Sequence, residues 1–358
     1  MANIDTDNTF GVSGPLHLTL VDWCNSYHRR TIAATLVNAA YIVELDRQQN
    51  RHGAAALAPQ WWNFFGFELI HVLADNNDLS FFGCIFQFIG TAYNNNYYSN
   101  YLLSSHQIPP TYVIAFRGTV TKPESRARDL RLDLQCIGNS IRNSSRFQQG
   151  LIAVADVIKK AGSAGNVWLA GHSLGSAIGL LIGKDMAKFG CHLETYLFNP
   201  PFISLPIERI KNEKLKHGLH KGKVYLTAAL AAVTKRYKEY EEEEEEDPFV
   251  AMSGWVPYLF VNPADPICSG YIGYFENREK MMEIGDGKFG SLPAKKCFTS
   301  IIISAVRGND SDAFHLLPNA YLTSNHNSPS SLDVLQAHGI NQWWKSDLQL
   351  EHKLYKYR

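Results

Sequence analysis

A serine set between two glycines, Gly171-His172-Ser173-Leu174-Gly175, is the pattern in this chain best suited to covalent chemistry. A serine hydroxyl is a weak nucleophile at neutral pH. It attacks when a histidine takes its proton and a carboxylate orients that histidine. The pentapeptide alone is a modest signal, and its neighbours strengthen it. Val167-Trp168-Leu169-Ala170 reads as a short, wholly apolar strand of the kind buried at the centre of a parallel sheet. From Leu174 to Phe189 the pattern turns helical and stops at Gly190. Strand, tight turn and helix together form a nucleophile elbow with the serine at its apex. The flanking glycines permit the bend, and Gly175, Ser176, Ala177 and Gly179 let the helix sit close to the strands. The spacing predicts Ser173 as the nucleophile.

Around such an elbow the acid and then the histidine follow the serine in the chain, at the carboxyl ends of strands. Val256 to Val261 reads as a strand, and Asn262-Pro263-Ala264-Asp265-Pro266 follows it directly, so Asp265 is the expected acid. Its bland reading is a turn aspartate, since Asp-Pro sequences favour turns. Beyond it lie His315, His338 and His352. His352 falls among charged residues. His315 sits in Phe314-His315-Leu316-Leu317-Pro318 and could be a packed core histidine. His338, in a small-residue turn before Asn341-Gln342-Trp343-Trp344, is preferred as the base. His172 is read as lining or packing under the site. The oxyanion needs two preorganised donors. One is the amide of Leu174, after the nucleophile. The other is assigned to Thr119, in Phe116-Arg117-Gly118-Thr119 at the end of the strand Thr111 to Phe116. Arg117 is read as part of a structural ion pair.

These residues must be positioned by an alternation of strands and helices, which predicts an α/β fold with a mostly parallel central sheet flanked by helices, wound in both directions. Thr31 to Arg47 reads as an amphipathic helix, Phe147 to Ala161 as another, and Phe81 to Phe88 and Glu194 to Phe198 as strands. The aromatic run Trp61 to Phe67 is read as core packing, with a lipid- or substrate-facing surface as the alternative. The organisation expected is an N-terminal segment (1–30), partly disordered, one domain (31–345) and a charged tail (346–358). The domain carries a solvated acidic insertion near 235–248, where six glutamates run from 241 to 246. The 358 residues balance to a formal net charge of zero, so nothing favours nucleic acid or an anionic membrane surface. Six scattered cysteines with no C-x-x-C read as reduced, buried thiols. The N-terminus lacks a secretory h-region, and the apolar stretches Phe81 to Ile89 and Phe249 to Val261 are too short to cross a bilayer. The chain therefore reads as cytoplasmic, with peripheral membrane contact left open and the oligomeric state unassigned.

Phe116-Arg117-Gly118-Thr119, the acidic segment Arg128 to Leu134, Phe147-x-x-Gly150, GHSLG, YLFNPP at 196–201 and VNPADP at 261–266 occur in the order seen in class 3 (fungal-type) lipases. More closely, the chain resembles plant lipase-like α/β-hydrolases that end in an AHGI-x-QWW motif, here at 337–344. Those proteins often carry a GDSL esterase/lipase label, although this chain contains no Gly-Asp-Ser-Leu. The resemblance spans residues 30–345. It implies an α/β-hydrolase fold and a carboxylic ester hydrolase, esterase or triacylglycerol lipase-like, acting on an ester or lipid substrate without a cofactor or metal. It implies Ser173, Asp265 and His338 as the triad, Thr119 and Leu174 as the oxyanion hole, and a lid at 120–128. The chain departs from the class 3 pattern at Gln148, where a histidine is common, and in its acidic insertion, a kind of surface loop that costs little closure entropy. Two other readings share the scaffold: a non-catalytic lipase-like regulator, and an acyltransferase. Fold alone implies no activity, and a credible residue at every catalytic position favours hydrolysis over the first. Nothing in the sequence separates hydrolysis from acyl transfer.

Overall fold

Strands whose residues are buried on both faces set the centre of the molecule. The computed structural model describes residues 18, 21–58, 61–90, 109–120, 141–202, 248–288, 316–326 and 334–357. Among these, eight strands form one sheet in chain order: β1 (Phe67–Ala74), β2 (Phe81–Phe88), β3 (Tyr112–Phe116), β4 (Val167–His172), β5 (Glu194–Phe198), β6 (Tyr258–Val261), β7 (Ala320–Asn325) and β8 (Leu350–Tyr355). β3 to β7 are parallel, while β1, β2 and β8 run antiparallel at the edges. Every residue of β3 and β4 is buried, which explains their unbroken apolar sequences.

Side-chain alternation along the strands divides the interior in two. Ile114, Phe116, Leu169, Leu197 and Leu259 face one core, which is covered by α2 (Ser145–Ala161), α3 (Leu174–Lys188) and α5 (Gly270–Lys288). The short α4 (Pro248–Ala251) packs beside α3, whose Gly183 lies against the Trp255 ring. Val113, Ala115, Trp168, Ala170, Tyr196, Phe198 and Phe260 face the other core, covered by α1 (Ser26–Gln48), the turn at Trp61–Phe65 and the turn at Ile340–Trp344.

The sheet is mostly parallel and flanked by helices, as expected, but it is not wound in both directions. Parallel strands taken in sequence with crossovers of one hand leave their helices on one face. The opposite face is closed by α1, which precedes every strand, and by 340–344, which follows β7. α1 differs from its expected amphipathic form: every residue from Arg30 to Ala40 is buried. Its polar members are accommodated inside, with Arg30 donating to the Trp343 carbonyl and Thr35 to the Thr31 carbonyl. Asn25 caps its first turn by accepting from the Tyr27 amide at 2.9 Å.

Three strands, β1, β7 and β8, lie outside those expected from the residue pattern. β1 pairs antiparallel with β2. Leu350–Tyr355, read as charged tail, pairs along its whole length with β7 and forms the sheet edge. Its charged residues face solvent, as edge strands tolerate. Trp62, Phe65 and Phe67 are core residues, while Phe64 is half exposed. The acidic insertion up to residue 247, the segment 121–140 that holds most of the expected lid, and the N-terminal 1–17 lie outside the described residues.

Candidate active site

Four strand ends converge on the site. At the end of β4 the chain turns sharply at Ser173, whose backbone (φ 54°, ψ −124°) lies in a region that non-glycine residues rarely occupy. The turn lets α3 begin immediately, and two glycines make it fit. A Cβ on Gly171 would lie 2.5 Å from the Gly175 carbonyl oxygen, and one on Gly175 would lie 2.6 Å from the Arg117 oxygen and closer still to that of Phe116. The serine amide is anchored to the Phe198 carbonyl at 3.0 Å, and its side chain is buried at the helix start.

After β6, an Asx turn brings Asp265 back towards the serine: the Ala264 amide donates to Asn262 Oδ1 at 2.9 Å and the Asp265 amide to the Asn262 carbonyl at 2.9 Å. After β7 the chain reaches α6 (Val334–His338), which ends on His338. Ser173 Oγ lies 2.9 Å from His338 Nε2, and His338 Nδ1 lies 2.8 Å from Asp265 Oδ2. The three residues singled out in the sequence are thus brought into one continuous hydrogen-bonded line. His315 lies outside the described residues. His352 sits on β8, where it is bonded to Thr323 and stacked on Tyr321.

Asp265 is fully buried, and burial alone raises a carboxyl pKa. The charge and hydrogen bond of His338, the Ile267 amide on Oδ1 at 2.9 Å and the Asn199 amide group on Oδ2 at 2.8 Å outweigh it, so the group is held below the usual carboxylate range. The Cys268 thiol, 3.2 Å from the same oxygen, is pushed well up by burial and by the Asp265 charge; it therefore stays protonated and donates.

Sequence reasoning missed Asn199 as a functional residue. It follows β5 with φ 46°, a left-handed conformation that asparagine tolerates better than most residues. Its Nδ2 donates to Asp265 Oδ2 and to the Ala337 carbonyl at 3.0 Å, and its Oδ1 accepts from Trp343 Nε1 at 2.7 Å. One buried side chain thereby ties together the acid, the residue before the histidine and the aromatic turn after it. The signal available was Asn199-Pro200-Pro201 closing an apolar strand, which reads as a turn.

His172 lies under the site. Its Nδ1 is 2.8 Å from the Tyr41 hydroxyl, and its Nε2 is 2.7 Å from the His338 carbonyl oxygen. A carbonyl only accepts, so Nε2 carries the proton and Nδ1 accepts from Tyr41. Burial first, then the neighbouring His338, pulls the His172 pKa from 6.5 to about 3, and the ring stays neutral. Tyr41 in turn accepts from the Gly118 amide at 2.7 Å. The chain Gly118, Tyr41, His172, His338 therefore links the loop after β3 to the backbone of the histidine.

That loop passes close to the serine: a Cβ on Gly118 would lie 2.8 Å from Ser173 Cβ. Arg117 holds the loop by donating to the Phe81 and Gly118 carbonyls, at 2.5 and 2.6 Å, and lies 3.7 Å from buried Glu44. Thr119 is exposed at the loop end, and Leu174 is buried at the first position of α3. Neither amide has a hydrogen-bond acceptor among the described residues. Among those residues no cluster of His, Cys, Asp and Glu could hold a metal ion, and no helix is long and apolar enough to cross a membrane.

No family model and no solved structure matches this chain. A protein of Arabidopsis thaliana named GDSL esterase/lipase is 41% identical over 361 residues, covering 99% of each chain.

Proposed function

The chain belongs to the family of that Arabidopsis esterase/lipase, and from that premise we propose that it is a serine hydrolase with a class 3 lipase-like α/β-hydrolase fold, cleaving carboxylic esters by way of an acyl-enzyme. The observation that carries this reading is the unbroken line from Ser173 Oγ through His338 to Asp265, at 2.9 and 2.8 Å. Asp265, held ionised, fixes the His338 tautomer with its proton on Nδ1 and leaves Nε2 free to accept from Ser173.

As the serine oxygen attacks the ester carbonyl, His338 takes its proton and Asp265 stabilises the resulting imidazolium. The tetrahedral oxyanion is received by the amides of Leu174 and Thr119, which a rigid elbow and a loop pinned by Arg117 and Tyr41 present without reorganisation. His338 then protonates the leaving alcohol. Water, activated by the same histidine, releases the acid. The absence of Gly-Asp-Ser-Leu does not weaken this reading, because the chemistry rests on GHSLG.

A fluorophosphonate serine probe tests it. The wild type is expected to be labelled and Ser173→Ala to be unlabelled, with hydrolysis of short and long p-nitrophenyl esters lost in parallel. Absence of labelling in the folded wild type, or equal labelling of both proteins, rejects the proposal.

A further inference from the structure

On the α1 face of the sheet, away from Ser173, lies a cavity of about 340 Å³. Arg29 and Arg30 from the first turns of α1, three tyrosines (Tyr196, Tyr258 and Tyr321) and His352 of β8 line it. This volume is within the range of small-ligand sites.

Its electrostatics are unbalanced. Arg29 is paired with Glu194 at 3.1 Å, and the Tyr196 hydroxyl donates to the same carboxylate oxygen, so Glu194 is already committed to these two groups. Arg30 is only 5% exposed and has no carboxylate within ion-pair distance among the described residues. Its Nε donates to the Trp343 carbonyl at 2.9 Å and its guanidinium lies 5.1 Å from the Tyr27 ring centroid. Neither Nη atom has an acceptor among the described residues, and Arg30 lines the cavity. The position compounds the imbalance. The positive end of a helix dipole favours acidic residues, yet the first turn of α1 holds none and two arginines follow it. A buried charge without a partner is costly, and proteins compensate such charges.

We propose that this cavity binds a small organic anion, whose carboxylate or phosphate pairs with Arg30 and whose planar body packs on Tyr258 and Tyr321. The guanidinium fork suits either oxyanion. Tyr196 and Tyr258 are stacked, with centroids 5.0 Å apart, and Tyr321 meets Tyr258 at 63°, so the three rings give the cavity an aromatic wall. Burial draws the Arg30 pKa down to about 10, and an anion in the cavity would reverse that pull. The site is independent of the Ser173 chemistry.

The experiment titrates the full chain with benzoate, phenyl phosphate and the uncharged isostere benzamide, in a buffer free of multivalent anions, by calorimetry. At least one of the two anions is expected to saturate a single site with a dissociation constant below about 1 mM, and benzamide is not. Ser346→Glu places a carboxylate on the rim of the same cavity. It is expected to raise the thermal midpoint and to weaken anion binding by about tenfold or more, as is Arg30→Met where that variant folds. Saturating anion should leave fluorophosphonate labelling of Ser173 unchanged. The proposal is overturned if neither anion saturates below about 1 mM, if folded Ser346→Glu binds them as the wild type does, or if the anion blocks labelling.

Discussion

At Asn199 a strained backbone and a side-chain network meet. The left-handed turn after β5 aims the amide group at Asp265, and the same side chain receives the Trp343 indole N–H. Replacing it with alanine leaves the buried Trp343 donor without its partner, at about 1–3 kcal/mol, and takes one donor from Asp265, while the Ala337 carbonyl keeps its bond from Gln342 Nε2. Asn199→Ala is thus expected to lower kcat more than it raises KM, and to lower the urea midpoint as well. His172 makes a separate, pH-dependent contribution. It titrates at about 3 in the fold against 6.5 in an exposed ring. As pH falls below about 6.5 the unfolded chain takes up this proton first, so stability declines at about 1.4 kcal/mol per pH unit until the folded ring also titrates near 3. Asp265, held low, acts in the same direction as pH falls through the carboxylate range. Replacing His172 with glutamine should therefore flatten the acid limb of stability between about pH 6 and pH 3, as measured by urea midpoints across that range. Equal slopes in variant and wild type would contradict the neutral assignment. Tyr41, which hydrogen-bonds His172 and the loop carrying the expected Thr119 donor, could not be read from the sequence. On α1 it is one aromatic residue among many, and its role arises only when β3 and β4 lie side by side.

The elbow shows how element packing fixes chemistry. Gly175 lies against the carbonyl oxygens of Phe116 and Arg117, atoms of a central buried strand end that cannot move aside. Gly175→Ala forces α3 away from β3 and is expected to cost about 3 kcal/mol or more, with loss of probe labelling at Ser173. Gly162→Ala replaces a C-cap glycine (φ 69°) that has nothing within contact distance, and should cost about 1 kcal/mol without touching activity. Comparing the two separates close approach from backbone freedom. Legibility followed the same physics. β4, β5 and α3 are buried on both faces or packed by small residues, and their sequences say so. β1 alternates poorly, because Ile70 is half exposed and a register shift falls between Leu69 and His71. α1 carries polar residues that look solvent-facing until Arg30 and Glu44 are seen to have interior partners. The line from Ser173 to Asp265 was legible because each member ends a recognisable strand or precedes a recognisable turn. Asn199 was legible only as a turn residue, since its partners come from three distant segments.

At the scale of the whole molecule, the one-handed winding places α2, α3 and α5 on one face and leaves the other to segments at the two ends of the chain. The termini thus complete the fold. α1 supplies Tyr41 beneath His172 and Arg30 beneath Trp343, and β8 closes the edge beside β7. The residues after 345 read in the sequence as a charged tail. The structure argues otherwise. Six of them pair with β7, and Tyr355 is buried with its ring stacked 4.8 Å from that of Phe275 on α5. Removing 346–358 would expose the donors and acceptors of β7 and uncover Phe275 and Tyr321. Burial of one tyrosine side chain and a ladder of hydrogen bonds together stabilise by about 3 kcal/mol or more. The truncated chain is therefore expected to unfold at a clearly lower urea concentration. Those of its molecules that stay folded should still label at Ser173, because Ser173, Asp265 and His338 come from the ends of β4 and β6 and from the segment after β7. Truncation that left the midpoint unchanged would show that β8 is not part of the cooperative unit. Loss of labelling at full stability would show that the edge strand reaches the site by a route other than the sheet.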